Sequence, residues 1–227
     1  AGEEIANTVS HGVGAVLAAA GAVPLLVKAA MDSGQAVVGM ALYAASLLGL
    51  YAASSVYHGV RNPALKKRLR VLDHCSIFLL ILGTYIPMAL LVLGGSLGWT
   101  LIGINTALAV VGIVLDLIDL ERFSKVTLVL YAAMGWLILP AIGRVVTVLP
   151  PAGVALLAGG GVAYTVGILF YKSKRHYMHF VWHLFVLAGS ALQYFCVLLY
   201  CVWPLSGPAA SRGPLAWERI DFFADFC

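Results

Sequence analysis

All six histidines of the chain fall in four short stretches, each shared with a second polar side chain. Glu4, Asn7 and His11 follow one another at spacings of three and four. Ser54 and His58 are four apart, Asp73 precedes His74, and His176, His179 and His183 are spaced by three and four. Residues three, four or seven apart share one face of a helix. The first stretch and the second each therefore present one polar face. At about 100° per residue, His176, His179, His183, Ser190 and Gln193 keep within an arc of about 100°. Two histidines at i and i+4 can grip a single metal ion, as His179 and His183 would. His58 could supply a third ligand, and three His ligands with one open position form a known pattern for catalytic Zn²⁺. Asp73 would then be free to hold the water at the metal. The plainer alternative is that each imidazole hydrogen-bonds a neighbouring helix. That reading suits His74, which points about 100° away from Asp73, and His176, beside a run of basic residues, reads as a surface side chain.

These side chains sit in an unusually apolar chain. Of its 227 residues, 62% are hydrophobic and 11% charged, where a soluble domain carries about 25% charged residues. The surplus must face lipid. A helix crossing a hydrocarbon core of about 30 Å needs about 20 apolar residues. Seven stretches qualify: 5–27, 36–58, 72–93, 99–120, 126–142, 154–171 and 178–203. The expected fold is an all-α bundle of seven transmembrane helices joined by short loops. Pro24, Pro87 and Pro140 are expected as kinks within helices 1, 3 and 5. Gly159, Ala163 and Gly167 form a small-residue stripe for close helix approach. Asp116 and Asp119 are expected simply to reach the membrane interface at the end of helix 4.

Orientation follows from the loop charges. Ten Lys and Arg residues (Arg61, Lys66, Lys67, Arg68, Arg70, Arg122, Lys125, Lys172, Lys174 and Arg175) lie between helices 2 and 3, 4 and 5, and 6 and 7, against two, Lys28 and Arg144, in the other loops. The N-terminus is thus expected inside and the C-terminus outside. Every histidine stretch then lies at the cytoplasmic end, where a costly intramembrane charge needs a purpose. Residues 1–203 form the membrane domain. Residues 204–227, a Pro/Gly/Ser-rich then acidic and aromatic tail, are extramembrane and either disordered or foreign to it. The acidic opening lacks the basic region of a cleavable signal peptide. Cys75, Cys196, Cys201 and Cys227 show no paired spacing and read as core or lipid-facing thiols. No basic run is interleaved with aromatics, so nucleic acid is not an expected partner.

The motifs Glu4-x-x-Asn7-x-x-x-His11, Ser54-x-x-x-His58, Leu72-Asp73-His74, Gly83-Thr84-Tyr85 and His179-x-x-x-His183-Leu184-Phe185 appear in this order along residues 3–203. In this the chain resembles the bacterial hemolysin III family, within the progestin and adipoQ receptor superfamily that also holds adiponectin receptors; alkaline ceramidases are similar in motif. The resemblance implies a seven-helix bundle with an intramembrane zinc site near the cytoplasmic face, in the bacterial inner membrane. It implies His58, His179 and His183 as Zn²⁺ ligands, Asp73 holding the water, Ser54 beside the site, and Glu4, Asn7 and His11 supporting the ligands from behind. The expected function is zinc-dependent hydrolysis of amide- or ester-linked membrane lipids, with Asp73 and Ser54 as the catalytic pair. Alternatives are a membrane-homeostasis sensor or receptor with a structural zinc, and a cytolytic pore. A pore needs polar residues through the whole bilayer depth, and here they stop near one end. Substrate identity and oligomeric state are not written in the sequence.

Overall fold

The computed structural model describes residues 2–202, so Trp203 and the tail assigned to residues 204–227, with Cys227, lie outside the described residues. The described residues are all helical, with no strand among them. Helix α1 spans Gly2–Ala30 and α2 spans Gly34–Gly59. Helix α3 spans Pro63–Pro87 and runs into a π-helical turn, Met88–Leu93. Helix α4 covers Gly95–Gly135, and a 3₁₀ turn at Leu139–Ala141 leads into the short α5, Ile142–Val148. Helix α6 spans Pro151–Tyr171, and α7 spans Met178–Cys196 with a final π turn, Val197–Cys201. Six helical stretches are long and apolar enough to cross a membrane when Gly95–Val148 is counted as one. With so much apolar surface outward, the chain is a multi-pass membrane protein.

Local chemistry explains most helix boundaries. The Ser33 hydroxyl accepts from the backbone N–H of Ala36 at 3.1 Å and starts α2. Asn62 Oδ1 accepts from Leu65 N at 3.1 Å, and Pro63 takes the first helical position, where its missing N–H costs nothing. Helix α3 therefore begins nine residues before the expected position 72. Lys66, Lys67, Arg68 and Arg70 stand on a helical extension and not in a loop. Hydropathy does not register this extension because it is polar, although its residues favour helix. Pro87 lacks an N–H to donate, and the ladder after it widens into the π turn. Gly94 and Gly95 follow with φ of +63° and +52°, left-handed backbone that favours glycine, and turn the chain into α4.

Helix α4 is the main departure from expectation. Asp119 has non-helical backbone angles, φ −163° and ψ 94°, and splits it. The Asp119 carboxylate accepts from the N–H groups of Glu121 (3.2 Å) and Arg122 (3.0 Å), so it caps the second half. Tyr131 Oη lies 3.4 Å from Asp116 Oδ2, although fifteen residues of straight helix would hold them about 22 Å apart. The chain doubles back at Asp119. Asp116 is consequently buried, at 1% exposure, where it was expected at the interface; only Asp119 is exposed. Arg122 and Lys125, expected in a loop, ride on the first turns after the cap. The helix expected over 126–142 instead ends at Gly135, and Pro140 sits in the 3₁₀ turn and not inside a kinked helix.

Helix α1 packs on α2 and α7, α2 on α3, α3 on α4, and α6 on α7. The stripe that α6 buries is Gly153, Gly160 and Gly167, at heptad spacing. A side chain at Gly167 would meet Trp182, and one at Gly160 would meet Gln193. Of the expected stripe of Gly159, Ala163 and Gly167, only Gly167 is buried, because the contact with α7 follows a seven-residue repeat. Cys75, Cys196 and Cys201 are buried and unpaired.

Candidate metal centre

Helices α1, α2 and α7 carry their polar faces to one point. His58, one residue before the end of α2, and His179 and His183, in the first two turns of α7, each offer a ring nitrogen within 4.8 Å of the others. Their ring centroids lie 5.1, 5.0 and 4.8 Å apart for the pairs 58–179, 58–183 and 179–183. His58 and His183 are buried and His179 is half-buried. The i, i+4 spacing does for His179 and His183 what it was expected to do. His58 joins them because α1 packs between α2 and α7 in the bundle, touching both.

The hydrogen bonds around the rings decide which nitrogens are available. A carboxylate can only accept. Glu4 Oε2 lies 3.0 Å from His58 Nδ1, so that nitrogen carries the proton and Nε2 carries the lone pair. Ser10 uses its one hydroxyl proton on the carbonyl of Asn7, at 2.9 Å. At 3.2 Å from His183 Nδ1 it can therefore only accept. His183 is thus also protonated on Nδ1, with Nε2 left to bind. His58 Nε2 is buried with no hydrogen-bond partner among the described residues, a costly state for a polar atom unless something ligates it. Three neutral imidazoles, two held from behind by an acceptor, are what a divalent zinc or related ion requires. Zn–N bonds of about 2.0–2.1 Å set tetrahedral neighbours about 3.4 Å apart, so modest ring rotation brings the set onto one ion.

His58, His179 and His183 lie close enough together to hold a metal ion, and the remaining expected residues fall around them. Asn7 Nδ2 reaches to 3.5 Å from His58 Nδ1, at the long limit of a contact. His11 stacks face to face on His183, with centroids 3.5 Å apart and planes at 8°, and meets Tyr51 edge-on at 5.1 Å. It supports a ligand ring and stands outside the triad. Asp73 and Ser54 line a large internal cavity together with His11, His179 and His183. The cavity holds about 140 Å³, and the walls away from the histidines are mostly apolar, among them Ile77, Leu80, Ile168 and Val186. Polar groups at one end of apolar walls suit an apolar ligand with one polar end.

His74 lines the same cavity, and its backbone carbonyl accepts from Tyr131 Oη at 3.0 Å. His176 is exposed, and its only charged neighbour among the described residues is Glu3, at 3.7 Å. The exposure of His176 agrees with its surface reading, whereas the His74 imidazole makes no hydrogen bond to a neighbouring helix among the described residues. Two residues escaped that reading. Ser10 sits three residues after Asn7 on the same helix face, a spacing that could have flagged it. Lys66 reaches Glu4 Oε2 at 2.8 Å, and no sequence pattern marks it among its basic neighbours.

Comparison with known proteins finds relatives over most of the chain. A family model described as "Haemolysin-III related" matches residues 1–194. The chain is 42% identical over 200 residues to "Hemolysin-3" of Bacillus cereus, covering 87% of this chain and 91% of that protein. It is 41% identical over 202 residues to "Hemolysin-3 homolog" of Bacillus subtilis (strain 168), covering 88% and 95%. At greater distance it is 30% identical over 169 residues to the human "Monocyte to macrophage differentiation factor", covering 70% and 68%.

Proposed function

Since this chain belongs to the haemolysin-III related family of membrane proteins, we propose that it is a zinc-dependent hydrolase of amide- or ester-linked membrane lipids. The observation that carries the reading is one juxtaposition. Three clustered imidazoles, with Nε2 free on His58 and His183, include two, His179 and His183, that line an apolar cavity also lined by Asp73 and Ser54. His58, His179 and His183 would hold the ion; Glu4 and Ser10 accept from the rings of His58 and His183, Asn7 holds Ser10 through its carbonyl, and His11 stacks on His183. Bound there, Zn²⁺ supplies a Lewis acid that polarises a carbonyl and acidifies water. Asp73 takes the proton from the attacking water as general base. The Ser54 hydroxyl donates to the carbonyl oxygen as negative charge builds on it. The apolar walls hold the acyl chain and exclude bulk water.

The same reading carries a proposed membrane arrangement. The reversal at Asp119 supports two crossings within Gly95–Val148, and so seven in all. Lys67, Arg68, Arg122, Lys125, Lys172, Lys174 and Arg175 mark the cytoplasmic end, with the N-terminus inside a bacterial inner membrane and the C-terminus outside. The histidines lie at that end, so lipid reaches them from the inner leaflet.

The test is release of fatty acid from a panel of ceramides and other acyl lipids by purified protein in nanodiscs, with and without a chelator. Asp73→Asn keeps the shape of the carboxylate and removes the base. It is expected to retain the metal and the fold and to lose turnover, whereas His58→Ala loses the metal as well. Product release indifferent to both chelator and Asp73→Asn sinks the hydrolase reading and leaves a sensor with a structural ion as the better account.

A further inference from the structure

Lys66 makes contacts that its neighbours on α3 do not. Lys67 and Arg68 are exposed, but Lys66 folds back and its side chain keeps only 29% exposure. Its ammonium donates to Glu4 Oε2 at 2.8 Å and lies 3.4 Å from the backbone carbonyl of His58. It also stands over the Tyr57 ring, 5.2 Å from the centroid. Three segments therefore converge on one nitrogen: the start of α1 through Glu4, the end of α2 through His58, and the start of α3.

Each contact has a separate physical motive. The His58 carbonyl is among the last of α2, where no later N–H of the helix reaches it, and a lysine is a known partner for such a group. Glu4 lies in the first turn of α1, where the helix dipole favours an anion. An ammonium carries three donors and no acceptor, so it can serve both acceptors at once. The placement works against its own helix, since a cation in the first turns of α3 opposes that dipole. The contacts to α1 and α2 outweigh this cost.

We infer that Lys66 is a positioning residue for the metal triad, pinning the Glu4 carboxylate against His58 Nδ1 so that His58 keeps Nε2 aimed at the ion. The inference rests on the metal reading of the site given above. Without Lys66, Glu4, whose side chain is 46% exposed, swings toward water. His58 then loses the acceptor that sets its tautomer and ring orientation. Loss of a partner that orients a metal-ligating histidine costs about 10–100-fold in metal affinity. Lys66 acts one contact further out, so the lower end, about tenfold, is expected.

The experiment is a zinc titration of the full-length protein in nanodiscs against a chromogenic chelator, paired with thermal unfolding of the metal-free and zinc-loaded forms. Lys66→Ala is expected to weaken zinc about tenfold while the metal-free unfolding temperature stays near that of the parent. Lys66→Arg is expected to restore most of the affinity, and Lys66→Met, which keeps the apolar stem, is not. In a Glu4→Gln background, Lys66→Ala is expected to add little, because both changes break one chain of contacts. Parental affinity in Lys66→Ala overturns the inference, as does an equal loss in both backgrounds or full rescue by Lys66→Met. A fall in the metal-free unfolding temperature large enough to account for the lost affinity overturns it too. If the parent itself takes up no zinc, the metal reading fails and the inference falls with it, an outcome distinct from all of these.

Discussion

Replacing Ser10 by Ala tests how the triad is oriented. Ser10 Oγ accepts from His183 Nδ1 at 3.2 Å and spends its own proton on the Asn7 carbonyl. Alanine removes the acceptor without adding bulk, at a site where His183 is 1% exposed. With metal on Nε2, His183 must keep its proton on Nδ1, now buried without a partner, at a cost of about 1–3 kcal/mol. In the metal-free variant the proton can move to Nε2, which faces the cavity, so that state escapes most of the cost. The difference appears in metal binding. At about 1.4 kcal/mol per tenfold, Ser10→Ala is expected to weaken zinc about 5- to 150-fold. The assay is the chelator competition described for Lys66, and Ser10→Thr, which keeps the hydroxyl, should recover much of the loss. Zinc binding by Ser10→Ala within twofold of the parent would refute the tautomer assignment and the orientation of His183 built on it.

Three further outcomes are expected. His183→Ala should lose most of the bound zinc and lower the unfolding temperature of the zinc-treated protein, since binding free energy supports the folded site; His176→Ala, whose ring pairs only with Glu3, should change neither, as elemental analysis and thermal unfolding would show. Cysteines introduced singly at positions 67, 125 and 174 should resist an impermeant label added outside intact cells, while one at 144 should react; the reverse pattern would overturn the topology. Gly112→Leu places a side chain into the Phe78 ring, and overpacking of this kind should destabilise the bundle by about 1–3 kcal/mol, read by denaturant unfolding in mixed micelles.

Much of the site was legible because intramembrane polar residues are few and costly, so each one is informative. Helical spacing alone brought His179 and His183 onto one face, and their shared membrane depth brought in His58. What stayed hidden depended on contacts between distant segments. Nothing local to Lys66 distinguishes it from Lys67; only the fold brings Glu4 within reach. Ser10 looked like an ordinary helix serine until α7 brought His183 Nδ1 within its reach. The fold was read less well where polarity and helix propensity part company. Hydropathy placed the start of α3 at position 72, because it is blind to the capped, basic helix from Pro63. Nor does it register that the exposed Asp119 carboxylate caps the next helix and lets the chain turn on one residue. Asp116 was misplaced for the same reason, since the returning helix buries it under Tyr131.

The central claim is that His58, His179 and His183 together hold one zinc ion. X-ray absorption at the zinc edge, on protein purified without added metal and quantified by elemental analysis, tests it most directly. One zinc per chain is expected, with imidazole nitrogens at about 2.0–2.1 Å, and the signal should vanish in the His58→Ala, His179→Ala and His183→Ala variants. Zinc absent from the parent even after zinc is supplied, or retained with an unchanged spectrum when any one of those histidines is removed, would contradict it.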